Sequence, residues 1–134
     1  MTIDDTIIPI LMLAARVCLA SVFLVSGIHK AIWYPKAAEE FQRARIPVIS
    51  LVLPGTIALH LLASICLIVG YQTREAALVL AIFTAVATLK VHAYWRLPED
   101  QQLGRSRVAT ANLAIIGGLL LLVAVGPGPL SIGT

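Results

Sequence analysis

The chain has 134 residues, 59% of them hydrophobic and 13% charged, with a net charge of +3 and a mean hydropathy of +0.92. Soluble domains run at roughly 45–50% apolar and 25% charged, so a water-soluble fold is excluded and the bilayer must be the solvent. The length allows one domain, and the basic residues sit in short connections without forming a patch, which excludes a nucleic-acid surface.

Four apolar stretches, about residues 7–28, 47–70, 75–94 and 108–126, each approach the roughly 20 residues that span a bilayer. The gaps are too short for domains, so the pattern predicts an all-α, integral membrane four-helix bundle that fills residues 1–134. The first stretch is expected to remain as a membrane helix and not to be cleaved. Asp4 and Asp5 stand where a signal peptide needs basic residues, and Arg16 interrupts the apolar run. A guanidinium at that depth costs at least about 2.5–3.5 kcal/mol on insertion scales, so Arg16 is expected to face protein or a wet cavity. Ala20, Phe23, Gly27 and Lys30 share its helical face.

The connection after this stretch holds Lys30, Lys36, Arg43 and Arg45. Trp33 and Tyr34 suit the headgroup level, and Pro35 starts a short interfacial helix between the first two spans. Ala37, Ala38, Phe41 and Ala44 line one side of it, while Glu39 and Glu40 reach Arg43 at helical spacing. In the second stretch Pro47 and Pro54-Gly55 are expected to kink or break the helix. The third connection, from Arg96 to Arg107, carries Pro98, Glu99, Asp100 and Gly104 and reads as a turn region. Lysine and arginine concentrate in the first and third connections, so the positive-inside rule places those in the cytoplasm and both termini outside.

Polar residues inside the spans form two layers. Counting 1.5 Å per residue puts Arg16 roughly 14 Å from the outer end of its helix and His60 roughly 15 Å from Gly70, with Thr84 at a similar level. Arg16, His60, Thr84, Thr88 and Ser64 are therefore the candidate ligand-binding group. A second layer toward the inner face comprises Ser26, His29, Lys30, Lys90, His92, Trp95 and Asn112. None of the seven carboxylates lies within a span, so Arg16 has no acidic partner at its depth. An Arg–His–Thr network that fixes helix register is one reading; a pocket for a quinone headgroup, a fatty molecule or a small anion is the other. The three histidines come from three helices at unequal depth, and a metal site is not expected. No nucleophile–base pair, phosphate loop or CxxC motif is present. Cys18 and Cys66 read as small buried hydrophobes. Small residues at Ala81 and Ala85, at Ala114 and Gly118, and at Gly117 predict close helix packing and suit a homodimer face.

The runs RVCLASVFLVSGIHK, Ile46-Pro47, LIVGYQTREAALVLAIFTAVATLKVHAYW and NLAIIGGLLLL closely resemble the DoxX family of small bacterial membrane proteins. Arg16, Ser26-Gly27, Lys30, Gly70, Thr73-Arg74, His92, Trp95, Asn112 and Gly117-Gly118 stand at matching positions. Two departures stand out: the family usually has a glutamate at the position of His60 and a lysine at that of Ala111. The resemblance implies a four-helix bundle in the bacterial inner membrane. It also implies a link to quinone-associated redox assemblies, the family name being tied to a membrane subunit of a thiosulfate:quinone oxidoreductase. The expected function is a small subunit or scaffold that supports a redox partner protein among the membrane lipids. It would have no intrinsic cofactor and would hold a quinone or lipid at Arg16 and His60. A carrier or exporter of a small hydrophobic or anionic solute is the alternative.

Overall fold

A computed structural model describes residues 5–90 and 98–133. The elements are α1 (Ile7–Ile32), α2 (Tyr34–Arg43), α3 (Ile49–Val69), α4 (Thr73–Lys90) and α5 (Glu99–Val125), with no strand among the described residues. Three of them, α1, α3 and α5, are long and apolar enough to cross a membrane. The described part of α4 has 18 residues, with Arg74, Glu75 and Lys90 at its ends. It packs against both α3 and α5 as the fourth rod of the bundle.

Consecutive rods are neighbours, and α5 closes the ring by touching α1. The pairing is antiparallel: Phe23 of α1 meets His60 of α3, while Arg16, earlier in α1, meets Leu67 and Ile68, later in α3. Small side chains set how close the rods come. A Cβ added to Gly27 would stand 3.0 Å from Leu61 Cδ2 and 3.2 Å from His60 Cβ, so a larger residue there would push α1 away from α3. Gly118 does the same between α5 and α1, where an added Cβ would lie 3.1 Å from Leu19 Cδ2; Gly117 faces open space. The buried core is built from Ala20, Phe23, Ala63, Leu67, Ala77, Leu80, Ala81, Leu119 and Leu122. The outward faces carry the large apolar side chains that lipid solvates, such as Leu51, Leu62, Ile82 and Leu113.

The short helix α2 forms where expected, and its Arg43–Glu39 pair is made at 3.2 Å. Its apolar side is not spread on lipid, however. Ala37 and Phe41 are buried against Leu53 of α3, with Ile46, Ile49 and Val52 packed around them. The chain turns from α2 into α3 through Arg45 (φ 59°) and Val48 (φ 51°), two left-handed residues without the freedom of glycine. Pro54 does not break α3, which runs unbroken from Ile49. The proline falls within the first two turns and removes a single backbone bond, which the packing around Leu53 tolerates.

Residues 99–107, expected as a turn region, form the start of α5. Pro98 (φ −55°, ψ 150°) caps its start, and Glu99 and Asp100 occupy the first turn, where carboxylates oppose the positive end of the helix dipole. Polar composition there marks a helix leaving the hydrocarbon, not a loop. Cys18 lies on the exposed face of α1 and Cys66 is half-buried; both are unpaired.

Candidate functional site

A cavity of about 330 Å³ lies between the helices and reaches from His60 to the Lys30 end of the bundle. Its inner part is walled by Phe23, Thr56, His60, Phe83 and Thr84. His60 is held there by its neighbours: Gly27 lets α3 approach α1, and the imidazole stands edge-on to Phe23 (5.4 Å between centroids) and to Phe83 (4.8 Å). It is 3% exposed, yet neither Nδ1 nor Nε2 has a hydrogen-bond partner among the described residues. The hydroxyls around it are already engaged. Thr56 Oγ1 donates to Val52 O at 2.9 Å, Thr84 Oγ1 to Leu80 O at 2.7 Å, and Ser64 Oγ to the backbone carbonyl of His60 itself. The imidazole therefore keeps one donor and one acceptor without a partner among the described residues, in a mostly apolar cavity where an unmade bond is costly.

Toward the Lys30 end the walls become charged. Lys30, Glu40, Arg45 and Lys90 line the opening, and α2 with the following Ile46-Pro47 closes one side. Lys30 Nζ donates to Ser26 Oγ at 2.5 Å. Asn112 of α5 donates from Nδ2 to Thr88 Oγ1 at 3.0 Å, and Thr88 Oγ1 donates to Thr84 O at 2.7 Å, which ties α5 to α4 along the cavity wall.

The expected pairing of Arg16 with His60 does not form. Arg16 is fully buried, but its guanidinium donates to the carbonyls of Leu67 (3.2 Å), Ile68 (3.4 Å) and Leu130. Leu67 and Ile68 belong to the last turn of α3, whose carbonyls have no helical N–H partner. Gly70 (φ 77°) ends that helix, and a Cβ there would collide with Arg16 and Ser131. Residues 126–133 then fold over the same end as a strap, with Ile132 N–H donating to Val69 O at 3.1 Å and Gly133 N–H to Gly70 O at 3.3 Å. Arg16 is thus a clamp between a helix end and the strap. Seven residues, roughly 10 Å of helix, separate its level from that of Phe23 and His60. Counting depth from helix ends had put the two at one level because it set those ends flush. In fact α1 runs about two turns past the end of α3, and the strap covers the difference.

The two expected polar layers are therefore regrouped. His60 and Thr84 from the first share the cavity with Ser26, Lys30, Lys90 and Asn112 from the second. Arg16, Ser64 and Thr88 are bonded elsewhere, and His29 is exposed, edge-on to Trp33 at 5.1 Å. His92 and Trp95 lie outside the described residues. The polar layers left out Phe83, which lines the cavity from α4, and Glu40, Phe41, Arg45 and Ile46, which line it because α2 folds back on α3. The pairing of Ala37 and Phe41 at helical spacing was the signal for it.

Fold and site together define a small multi-pass membrane bundle with an amphipathic cavity. The DoxX family model matches residues 11–93, well over half of the chain, and the chain belongs to the DoxX family. It is 25% identical over 124 residues to inner membrane protein YphA of Escherichia coli, covering 92% of this chain and 89% of that protein. Inner membrane protein YqjF of the same organism is 29% identical over 120 residues, covering 90% and 87%. The ER-derived vesicles protein ERV29 of Saccharomyces cerevisiae is 31% identical over 77 residues, 58% of this chain and 25% of that protein. No solved structure matches the chain. The protein is a membrane protein of this family with inner-membrane relatives.

Proposed function

We propose that the protein is a small inner-membrane subunit or scaffold of a redox-linked assembly whose cavity holds the polar head of a lipid-soluble molecule. A quinone is the candidate that the family resemblance suggests. The observation that carries the reading is the buried imidazole of His60, unbonded at both nitrogens on the wall of a cavity of about 330 Å³. Its N–H would donate to a carbonyl oxygen of the guest, and its other nitrogen would accept from a hydroxyl. Phe23 and Phe83 would pack on the guest's ring, and the volume sits at the lower end of the roughly 300–1,000 Å³ typical of ligand pockets. The chain's own part is binding and orientation; electron transfer would belong to the guest and the partner protein.

Purification in mild detergent, followed by mass spectrometry of everything retained, tests this directly. A quinone or other lipid-soluble molecule should co-purify with the native chain and be lost from His60→Phe, whose ring fills the space without offering a bond. Circular dichroism and gel filtration confirm that the variant is folded. Equal retention by the native chain and a folded His60→Phe would overturn the proposal.

A further inference from the structure

The cavity has a second polar end. We infer that its guest is a compact anionic amphiphile, with a hydrogen-bonding group at His60 and a carboxylate or phosphate at the opening formed by Lys30, Arg45 and Lys90. This inference rests on the reading of His60 as a guest-binding group; the charged end it adds selects an acid, and not a quinone, as that guest.

Three basic side chains and one carboxylate, Glu40, line the opening. Among the described residues none of the three bases is within ion-pair distance of an acid, since the one ion pair is the exposed Arg43–Glu39 contact. The opening therefore holds an excess of positive charge beside an apolar interior, where field lines are focused and an anion is attracted more strongly than in bulk water. Lys30 does not spread into solvent: its ammonium is turned back onto Ser26 Oγ, at the cavity wall.

The spacing of the two ends follows from α1. Phe23 touches His60, and Lys30 lies seven residues further on the same face, roughly 10 Å along the axis at the backbone, but its ammonium reaches back to Ser26, roughly 5 Å from the level of Phe23. Between them the walls are apolar, with Val22, Val52, Ala87 and Ile115. A guest that satisfies both ends is roughly 5–10 Å long, apolar in the middle, neutral and hydrogen-bonding at one end, anionic at the other. A free amphiphilic acid and the headgroup region of an anionic phospholipid share this chemistry.

The test uses the full chain in phosphatidylcholine nanodiscs and three probes: 8-hydroxyoctanoate, the neutral 1,8-octanediol, and octanoate, which lacks the inner hydroxyl. Calorimetry should show 8-hydroxyoctanoate binding about tenfold more tightly than either of the others, the scale of one lost charge-assisted contact. Lys30→Gln combined with Arg45→Gln should erase the preference over the diol while leaving diol binding in place. His60→Gln, which retains a hydrogen-bonding group, should keep the preference, whereas folded His60→Phe should weaken the hydroxylated probes. Nanodiscs containing one-fifth phosphatidylglycerol separate the two sources. Competition by that lipid supports the inference with a lipid headgroup as guest, and undiminished binding supports it with a free acid. Equal affinity for the acid and the diol, both dependent on His60, would overturn the anionic guest and leave the cavity's guest-binding role standing. Binding of all probes unaffected by His60→Phe would overturn both.

Discussion

Replacing Arg16 separates a carbonyl clamp from a charge-dependent site. The guanidinium makes three bonds to backbone carbonyls, at Leu67, Ile68 and Leu130. At about 1.5 kcal/mol each, the lower end for bonds involving a charged group, their loss costs about 4–5 kcal/mol. Arg16→Leu also removes a buried cation, whose presence costs about 2.5–3.5 kcal/mol at membrane depth, so the net destabilisation is about 1–2 kcal/mol. Arg16→Lys keeps the cation but brings a single ammonium on a shorter reach, which cannot span the helix end and the strap together. It loses two of the three bonds without relief of the burial cost, about 3 kcal/mol. The conservative change is thus expected to be the more damaging one. Unfolding by sodium dodecyl sulfate in mixed micelles gives the ranking. Thiol labelling at Ser131→Cys, after replacement of Cys18 and Cys66, reports release of the strap, because Ser131 is half-buried there with its Cβ against Gly70. Both variants should label faster at Ser131→Cys than the protein with native Arg16. A lysine variant as stable as the native protein, with leucine markedly worse, would refute the clamp and show that a positive charge itself is what the site needs.

Gly27→Leu should force α1 from α3, because even a Cβ would lie 3.0 Å from Leu61 Cδ2; guest binding should fall with His60 displaced, as calorimetry would show. Gly70→Ala places a side chain at φ 77° against Arg16 and Ser131, so it should speed labelling of Ser131→Cys by thiol reagents much as Arg16→Lys does. Asn112→Leu removes the bond from α5 to Thr88 and should cost about 0.6–1.7 kcal/mol in the same detergent titration, the range for side-chain bonds between membrane helices. By contrast, Glu39→Gln breaks an exposed pair and should change stability by less than about 1 kcal/mol. For orientation, a single cysteine at Gln101 should be labelled from the cytoplasm and one at Ile132 from outside; the reverse pattern would overturn the arrangement expected from the lysine and arginine count.

The bundle was legible in the sequence because bilayer length and hydropathy leave few alternatives for stretches such as 7–28 and 108–126. The short helix after Trp33 was legible too, since Pro35 and the spacing of Ala37 and Phe41 mark it. The partners of Arg16 were not. They are backbone carbonyls, which every residue carries, and one belongs to Leu130, in a Gly-Pro segment that composition reads only as the end of a helix. Register between helices was equally hidden: the offset that separates Arg16 from His60 depends on where α3 stops, and residue counts place helix ends poorly. The polar start of α5 misled for a related reason, because charges that would disqualify a membrane segment are welcome in the first turns of a helix outside the hydrocarbon. His60 was found as a polar residue at depth, but its lack of bonds was visible only once the surrounding hydroxyls could be seen bonded to their own helices.

The strap has a consequence for biosynthesis. Leu130 is synthesised 114 residues after Arg16. At about 5–20 residues per second, roughly 6–23 s of translation separate the cation from its last acceptor. Leu67 follows Arg16 by 51 residues, so for roughly 3–10 s neither α3 nor the tail shields the guanidinium, and after that α3 alone does until Leu130 is made. The nascent chain must keep it hydrated, at the translocon or at the bilayer surface, until these carbonyls arrive to shield it.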